Sequence, residues 1–540
     1  MPEGYVVGKT KYVVVTGSVI SGVGKGTVAG VLARNLQERG LKVEPIKLEA
    51  YLNVDAGTLS PFRHGEVFVL DDGSETDLDL GTYERFLDKN LTGDSFVTSG
   101  RIYQRVIAKE RAGGYLGRDV QFTPHVTGET KLVLRELAVK SEADVILIEI
   151  GGTVGDYENL FSLEALRELS YEEGSDNVCF VNVTYVPEVN SLGEQKSKAA
   201  QLGLKSLMAL GIQPEIIVCR SQNKVSTSIK EKISLAANVP RNRVVGVHDT
   251  GNIYELPKIF SEIGLDDRVC EVLGIEKKMP EGARLEWDGG TKPHGDEVVI
   301  GIAGKYVGGW DNYASILKAL EHCGFNLGKR FKVKWIDVRE IEKGENLSLA
   351  FEGVRGLIVP GAFGKDGVEG KIKCIKYCRE NNVPFLGLCY GFQLALVEYA
   401  RNVCGLDGAH TTEVEPNARY PVIDLLPEQY NLGELGGTMR LGGRPVRLKI
   451  GSIAERIHGC GEIRRRFRCR FECNPDYISV FEKAGIVFSG SAKGENVMQI
   501  LELPDKDFFM ATQFHPELTS RPLKPDEVFL EFCRVASEKV

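Results

Sequence analysis

The sequence predicts an α/β protein with two domains, each built on a mainly parallel β-sheet that is flanked by helices. Both halves of the chain alternate short runs of β-branched residues with longer amphipathic segments, which is typical of strands joined by crossover helices. The strand candidates are continuously apolar, as expected for parallel strands that are covered on both faces. A charged stretch rich in Gly and Pro separates the halves, which predicts domains at 1–274 and 298–540 joined by a linker at 275–297.

The expected buried strands are short. Those of the first domain are Tyr12–Thr16, Val145–Glu149, Phe180–Thr184 and Ile216–Cys219. Those of the second domain are Val299–Ile302, Gly356–Val359, Pro384–Gly387 and Phe508–Thr512. Parallel sheets bind ligands beyond the carboxyl ends of their strands, so the residues that follow these runs are the functional candidates.

Composition narrows the class of protein. The chain has 540 residues, of which 42% are hydrophobic and 26% charged, and this is typical of a globular protein. Its net charge of −8 argues against a general nucleic-acid binder. No apolar run approaches the roughly 18 residues that cross a bilayer, and the first residues lack the basic and apolar pattern of a signal peptide. Twelve cysteines without a C-x-x-C pair favour reduced thiols, so we expect a cytoplasmic protein that binds neither nucleic acid nor membrane.

A glycine-rich loop follows the first strand. The segment Gly17–Thr27 reads GSVISGVGKGT and leads into a helical pattern, and successive backbone N–H groups in such a loop can hold phosphate. Lys25 can reach the terminal phosphates, and Ser21 or Thr27 can face a magnesium ion. The strict phosphate-loop pattern is not met, because Val19 replaces its first Gly and another Gly follows the lysine. A glycine-rich turn without a ligand is the alternative interpretation.

Phosphoryl transfer also needs acidic groups that hold magnesium. Glu149 ends the strand Val145–Glu149, and its carboxylate would face the glycine-rich loop if the two strands are neighbours. A second acidic cluster lies at Asp71–Asp79. Solvation is the alternative role for each of these carboxylates, and the sequence pattern does not choose among them.

The second domain carries the pattern of a thiol hydrolase. Gly387-Leu-Cys389-Tyr-Gly391 joins a short apolar strand to an amphipathic helix, as in a nucleophile elbow. The flanking glycines permit a sharp turn, and the helix N-terminus favours the thiolate. Of the eight histidines, His515 stands out because it follows a strand and precedes Glu517, which can orient its ring. A buried core cysteine is the alternative interpretation of Cys389.

Six segments carry a more specific resemblance. They are Val19–Gly26, His64–Val69, Glu75–Phe86, Glu149–Asp156, Gly436–Gly442 and Gln513–Glu517. Together, and in this order over nearly the whole chain, they resemble the CTP synthase family. In that family a phosphate-loop-like, ATP-dependent amidoligase (synthase) domain is joined to a class I glutamine amidotransferase domain.

The resemblance implies roles for individual residues. The ATP site would be formed by Ser21, Gly22, Val23, Gly24, Lys25, Gly26, Thr27 and Asp79. The UTP site, for which the product CTP would compete, would be formed by Ser21, Lys47, Asp156, Tyr157, Glu158, Lys196, Ser197, Lys198, Ala199, Ala200, Gln201 and Lys232. The Mg²⁺ ligands would be Asp79 and Glu149. The catalytic triad would be Cys389, His515 and Glu517, and glutamine would be bound by Ala362, Tyr390, Gln393, Glu413 and Arg470.

The resemblance also implies the reaction. Cys389 would hydrolyse glutamine, with backbone N–H groups near Ala362 and Tyr390 stabilising the oxyanion. ATP would phosphorylate O4 of UTP, and ammonia arriving through an internal tunnel would displace the phosphate to form CTP. The family further implies a homotetramer with UTP sites shared between subunits, feedback inhibition by CTP and activation by GTP.

Four positions depart from the family pattern. Ala362 stands in place of a second Gly, Glu49–Ala50 in place of Asp-Pro, and Ala199–Ala200 in place of Pro-Thr. Lys365–Asp366 replaces the usual Arg after the oxyanion loop, which bears on the expected activation by GTP. None of these changes removes a residue that the chemistry demands.

Two other interpretations are open to the sequence. Another amidoligase fusion, such as the cobyrinic-acid amidases, also pairs a phosphate loop with an amidotransferase, but it acts on large carboxylates. UTP-dependent ATP hydrolysis would separate these two enzymes. A partition-type protein would use the ATPase fold only as a switch, and the Cys-His-Glu set argues against it because a switch needs no glutaminase.

Overall fold

Two β-sheets organise the structure, which is a computed structural model. It describes residues 1–189, 194–276, 295–307, 309–425 and 439–539. The chain divides into unit 1, Met1–Ala56 with Asp79–Asp288, and unit 2, Gly57–Leu78 with Gly289–Val540. Most of the linker expected at 275–297, and the start of the motif Gly436–Gly442, lie outside the described residues.

The strands are numbered in chain order. They are β1 Lys11–Ser18, β2 Val43–Glu49, β3 Phe68–Val69, β4 Glu75–Thr76, β5 Phe96–Thr98, β6 Val145–Ile150, β7 Val178–Tyr185, β8 Glu188–Val189, β9 Glu194–Gln195, β10 Ile216–Ser221, β11 Val244–His248, β12 Glu297–Gly304, β13 Arg330–Asp337, β14 Gly356–Val359, β15 Phe385–Leu388, β16 Ala409–Thr411, β17 Tyr420–Leu425, β18 Arg440–Leu448, β19 Glu462–Cys469, β20 Phe471–Cys473, β21 Val487–Ala492, β22 Met498–Glu502 and β23 Phe509–Thr512.

The α-helices are numbered in the same way. They are α1 Lys25–Glu38, α2 Pro61–His64, α3 Leu78–Leu87, α4 Ser99–Arg111, α5 Thr127–Ser141, α6 Leu160–Glu173, α7 Lys198–Ala209, α8 Thr227–Ala237, α9 Leu256–Glu262, α10 Leu265–Val272, α11 Ala314–Leu327, α12 Val338–Lys343, α13 Leu347–Ala350, α14 Val368–Glu380, α15 Tyr390–Asn402, α16 Ile453–His458, α17 Ile478–Lys483 and α18 Glu527–Glu538. None of these helices is both long and apolar enough to span a membrane.

The sheet of unit 1 is parallel throughout. Its seven strands follow the order β11-β10-β7-β1-β6-β2-β5. The central strand β1 is buried from Tyr12 to Ser18, as its unbroken apolar run predicts. Strand β6 lies between β1 and β2, and this register places Glu149 beside Val15 and Lys47. Strands β1 and β6 are therefore neighbours, which is the condition for the Glu149 carboxylate to face the glycine-rich loop.

The nine-stranded sheet of unit 2 is parallel in one half only. Its order is β13-β12-β14-β15-β23-β22-β21-β18-β19, with parallel pairs from β13 to β23 and antiparallel pairs beyond. The elbow strand β15 lies between β14 and β23, inside the parallel half. The antiparallel arm was not expected, because β18 and β19 are rich in arginine and lack a continuous apolar run.

Unit 2 includes a segment from the first part of the chain. We call Gly57–Leu78 the strap; it carries the short helix α2 and the hairpin β3–β4. Both residues that flank the strap, Ala56 and Asp79, belong to unit 1. The composition of the strap does not distinguish it from its neighbours, so the sequence offers no sign of this excursion.

The predicted α/β class with two sheet-based units is confirmed. Each of the eight strands expected from the sequence is present, and the observed ends differ from the expected ones by at most two residues. The functional domain boundaries at 274 and 298 remain a prediction.

Candidate functional site

Cys389 stands on a strained turn between β15 and α15. Its backbone has φ 50° and ψ −96°, a conformation that L-residues rarely adopt outside functional turns. The two flanking glycines make the turn possible, because a Cβ on Gly391 would collide with the carbonyl oxygen of Val359 and a Cβ on Gly387 would lie 2.9 Å from that of Ala511. The predicted elbow is therefore present, and its Cys lies at the N-terminus of α15.

His515 and Glu517 lie together at the end of β23. The Nδ1 atom of His515 is 2.7 Å from Oε1 of Glu517. The His515 ring and the Cys389 side chain both lie beside Gly361. A Cβ placed on Gly361 would lie 3.1 Å from Cε1 of His515 and 3.7 Å from Cβ of Cys389. Burial by itself lowers the pKa of His515, but the charges of Glu517 and Cys389 outweigh it and raise the pKa to about 10. His515 is therefore a stronger base than a free imidazole.

The loop Gly361–Gly364 faces the cysteine. Ala362 is not among the seven non-glycine residues with positive φ in the described chain, so Ala is accommodated where the family pattern has Gly. Oε1 of Glu413 accepts the Gly364 N–H at 2.7 Å, and the Tyr390 hydroxyl donates to the Gly364 carbonyl at 3.0 Å. These bonds hold the loop from two sides. The first N–H groups of α15, including that of Tyr390, have no acceptor within the helix and are available to an oxyanion.

A pocket of about 320 Å³ within unit 2 is lined by the predicted catalytic triad and by two of the five residues predicted to bind glutamine. Its walls include Ala362, Cys389, Arg470, His515 and Glu517, together with strap residues from Gly57 to Val67. The remaining three predicted residues do not line the pocket but contact residues next to its wall. Glu413 and Tyr390 do so through the Gly361–Gly364 loop, and Gln393 donates from Nε2 to the carbonyl of Phe471 at 2.7 Å.

The glycine-rich loop of unit 1 has the form of a phosphate cradle. Val19, Gly22 and Gly24 all have positive φ, which turns successive N–H groups to one side. The ammonium of Lys25 folds back over the end of β1 and donates to the carbonyl of Gly152 at 2.8 Å. A Cβ on Gly26 would collide with the carboxylate of Asp79. The departure from the Lys-Ser/Thr pattern at Gly26 thus has a steric reason, and it places Asp79 against the loop.

Two carboxylates and two lysines meet at this edge of the unit 1 sheet. Asp79 forms an ion pair with Lys47, and Glu149 accepts a hydrogen bond from Tyr83. Complete burial raises the pKa of Glu149 to about 8, because the lowering effects of Lys47 and Lys25 only partly offset burial and the charge of Asp79. A buried carboxylate with so little compensation is favourable for a hard cation with oxygen ligands. In the described residues no cluster of three or more His, Cys, Asp or Glu forms a complete metal site.

Apart from Ser21 in the glycine-rich loop and Lys47 on β2, the residues predicted for UTP fall into two groups in unit 1. Asp156, Tyr157 and Glu158 are exposed just after β6, and Oδ2 of Asp156 accepts the Thr153 N–H at 2.8 Å. The other group begins α7, where the segment Lys196–Gln201 includes a 2.9 Å hydrogen bond from Gln201 to the hydroxyl of buried Ser197. Lys196 pairs with Glu194, and the charge of Lys232 from α8 also lowers the pKa of that carboxylate.

Some site residues were missed by the sequence analysis. Gln513 donates from Nε2 to Sγ of Cys389 at 3.6 Å, and the carbonyl of Arg468 accepts from the same thiol at 3.5 Å. Lys305 donates to the carbonyl of Phe363 at 2.6 Å, and Tyr83 is the partner of Glu149. Gln513 and Tyr83 had a signal, since each lies in a segment that carries the family resemblance, Gln513–Glu517 and Glu75–Phe86. Arg468 and Lys305 belong to segments far from the motif they serve.

Comparison with known proteins identifies the family of this chain. The family model for the CTP synthase N-terminus matches residues 11–275, and that for class-I glutamine amidotransferase matches residues 310–535. The CTP synthases of Pyrococcus abyssi and Methanopyrus kandleri are 50% and 48% identical to this chain over 533 and 532 residues, which is 98% of the chain in each case and 98% and 99% of the relatives.

A solved glutaminase domain of a Trypanosoma brucei CTPS with bound acivicin is 32% identical, with a TM-score of 0.43 over 45% of this chain and 95% of that one. The full-length identity to the archaeal enzymes, and the two family models in the same order, are decisive. The chain belongs to the CTP synthase family, and it is a glutamine-hydrolysing ligase that converts UTP to CTP.

Proposed function

We propose that Cys389 is the nucleophile that releases ammonia from glutamine, with His515 as its proton carrier and Glu517 as the group that orients and charges the ring. The observation that carries this proposal is the meeting of Cys389 and His515 at Gly361, with Glu517 2.7 Å behind the ring. The raised pKa of His515, about 10, supports a ring that is basic enough to take the proton of the Cys389 thiol.

The proposed deamidation proceeds in two steps. His515 accepts the proton of the Cys389 thiol as Sγ bonds to the amide carbon, and the oxyanion is stabilised by the N–H groups at Ala362 and Tyr390. The imidazolium of His515 gives its proton to the amide nitrogen, the C–N bond breaks and ammonia leaves. Water, deprotonated by the same ring, then hydrolyses the thioester to glutamate and restores the thiol.

The glutamine backbone is proposed to lie between Arg470 and Glu413. Arg470 lines the pocket and supplies a cation for the α-carboxylate. Glu413 supplies an anion for the α-ammonium; burial raises the pKa of this carboxyl, and the Gly364 N–H, Lys305 and Arg470 partly offset the rise. The Oε1 atom of Gln393 is buried without a hydrogen-bond partner among the described residues, which supports a role in holding the substrate.

In unit 1 we propose transfer of the γ-phosphoryl group of ATP to O4 of UTP, followed by displacement of phosphate by ammonia. The turns at Val19, Gly22 and Gly24 support phosphate binding, with Ser21, Val23 and Thr27 in the same loop. Lys25 and Lys47 would neutralise charge on the transferred group. Asp79 and Glu149 would hold Mg²⁺, which when bound supplies charge neutralisation at the phosphates. Internal transfer of ammonia is proposed because free ammonia is mostly protonated, and hence not nucleophilic, at neutral pH.

UTP and CTP are proposed to share a site formed by Lys47, Asp156–Glu158, the segment Lys196–Gln201 and Lys232. CTP would inhibit by competing there. Sharing of this site between subunits of a homotetramer is supported by an apolar groove of about 310 Å³ on unit 1, lined by Tyr103, Ile107 and Phe122 among others. Ile107 and Phe122 are 59% and 64% exposed, and such a patch favours covering by a second copy of the chain.

Activation by GTP is proposed at the aromatic rim of the unit 2 pocket. Phe62 meets the ring of Tyr306 edge-on at 4.6 Å, and Lys305 lies 5.4 Å from that ring. Phe363, 41% exposed, has the guanidinium of Arg468 over it at 5.2 Å. Aromatic faces beside cations suit a purine base with phosphates. A cytoplasmic location is also proposed, which the thiol state of the cysteines supports.

The proposal is tested by assaying CTP formation from UTP, ATP and Mg²⁺ with either glutamine or ammonium as nitrogen source. Cys389→Ala should make CTP from ammonium at nearly the normal rate and none from glutamine. Cys460→Ala, which removes an exposed cysteine, should retain both activities. Glutamine-dependent synthesis by Cys389→Ala, or loss of both activities, would reject the nucleophile. UTP labelled with ¹⁸O at O4 tests the intermediate, because that oxygen should appear in the released phosphate.

A further inference from the structure

Strand β19 grips the strap with arginines that alternate along one face. Residues two apart on a strand point to the same side, so Arg464, Arg466 and Arg468 form one row. Arg464 pairs with Asp71 of the strap at 2.9 Å. The fully buried Arg466 donates to the carbonyl of Val69 at 3.2 Å and lies over the ring of Phe68 at 5.6 Å. The strap is therefore held along the length of its hairpin.

Arg468 contacts the strap at two separate points. Its Nε donates to Oε1 of Glu75 at 2.7 Å and its Nη2 to the carbonyl of Gly57 at 2.9 Å, so it joins the two ends of the strap. The side chains of Arg468 and Glu75 are 14% and 1% exposed. A Cβ on Gly57 would collide with the Glu75 carboxylate, which shows how tightly this corner is packed.

The backbone of the same strand contacts the hydrolytic residues. The carbonyl of Arg466 accepts the N–H of His515 at 2.9 Å, and the carbonyl of Arg468 accepts from Sγ of Cys389 at 3.5 Å. One residue, Arg468, thus contacts the cysteine through its carbonyl and the strap through its guanidinium. Glu75 is therefore linked to the thiol through two contacts, its ion pair with Arg468 and the contact of the Arg468 carbonyl with Sγ of Cys389.

The strap is anchored independently at its middle. Both carboxylate oxygens of Glu66 accept the N–H of Ser315 at the start of α11, at 2.9 and 3.0 Å. The chain then continues from Glu75 to Asp79, the carboxylate that lies against Gly26 of the glycine-rich loop. The segment that Arg468 holds is therefore joined, four residues later, to a residue of the proposed ATP site.

We propose that Arg468 is a positioning residue for glutamine hydrolysis, which holds the β19 backbone against Cys389 by means of its ion pair with Glu75 of the strap. The proposal rests on the role of Cys389 proposed above. Loss of one partner of a buried ion pair leaves the other uncompensated, so the guanidinium and the carbonyl of Arg468 would move. Small displacements of a reacting group cost large factors in rate, whereas the groups that bind glutamine are on other residues.

Arg468→Met and Glu75→Gln are the informative variants. Each should lower the kcat of glutaminase by about tenfold or more, counted per Cys389 thiol titrated with iodoacetamide, with little change in KM for glutamine. CTP synthesis from ammonium should stay near the normal rate. The double variant should be no slower than about the slower single variant, because both changes break the same link.

Arg464→Met is the matched control. It removes an ion pair of the same row, but its pair is exposed and its carbonyl accepts from neither catalytic side chain, so activity should be unchanged.

The proposal is overturned if Glu75→Gln and Arg468→Met keep normal kcat per thiol, or if they raise KM alone. Should Arg468→Met fail to fold, Glu75→Gln decides the matter by the same criteria. Cys389→Ala separates the two proposals: glutaminase activity in that variant rejects the nucleophile, whereas an inactive Cys389→Ala beside normal Glu75→Gln rejects only the role of Arg468.

Discussion

Glu517→Gln removes a charge while it keeps the shape of the group behind His515. In the structure the Glu517 carboxylate lies 2.7 Å from Nδ1 of the ring. Burial of His515 lowers its pKa, and the charge of Glu517 is the largest contribution that opposes burial. With Gln in its place, burial should prevail and the ring should be largely neutral at pH 7.5.

The size of the effect follows from the pKa. A rise from 6.5 to about 10 corresponds to about 5 kcal/mol of preference for the imidazolium, to which Glu517 and Cys389 both contribute. Because the folded-state pKa is raised, the stability that this charge contributes is fully present below pH 6.5 and is lost as the pH rises through about 10. General acid–base catalysis is typically worth about 10²–10⁴-fold, so we expect Glu517→Gln to lower glutaminase kcat/KM by about that factor.

Glutamate release is measured from about pH 6 to about pH 10, roughly the interval between the ordinary pKa of histidine and the raised pKa of His515. The rate at which iodoacetamide alkylates Cys389 is measured over the same interval. Alkylation of Cys389 at neutral pH should be slower in Glu517→Gln than in the wild type, because the ring beside Sγ is then a weaker base. CTP synthesis from ammonium reports an intact fold and should not change. A variant with glutaminase within about threefold of normal and an unchanged alkylation profile would refute the role of Glu517.

Three further predictions concern unit 1. Lys25→Ala should abolish CTP formation from either nitrogen source while basal glutaminase survives, because it removes a cation from the phosphate cradle; near-normal CTP synthesis would reject that cradle. Asp79→Ala and Glu149→Ala should each lower CTP synthesis by about 10²-fold or more at limiting Mg²⁺ with the circular dichroism spectrum unchanged. If both retain full activity, the metal ligands lie elsewhere, with Asp77 and Asp156 next to be tested. UTP with ATP should drive tetramer formation in sedimentation experiments, because ligands that bind only the assembled state stabilise it. An active protein whose mass is constant in every condition would contradict ligand-driven assembly, and a constant monomer mass would also contradict a shared site.

Local features of this protein could be predicted from the sequence because their causes are local. The strand Val145–Ile150 and the elbow at Cys389 each depend on residues within one short segment: an unbroken apolar run, and two glycines that permit a close turn. The pairing of His515 with Glu517 has the same origin, since two positions in one turn are necessarily near each other.

Contacts between distant segments were decided only by the tertiary structure. In the sequence, Gly26 departs from the phosphate-loop pattern. The structure gives the reason, because the Asp79 carboxylate lies against Gly26. The antiparallel arm of the unit 2 sheet has no apolar sequence pattern. Its row of arginines is stabilised by polar partners in the strap. The two residues of an ion pair such as Arg468–Glu75 lie far apart in the chain. Neither hydrophobic periodicity nor local composition indicates that they will pair. Their geometry is determined by how the strap packs on β19, which is a property of the folded chain and of no segment by itself.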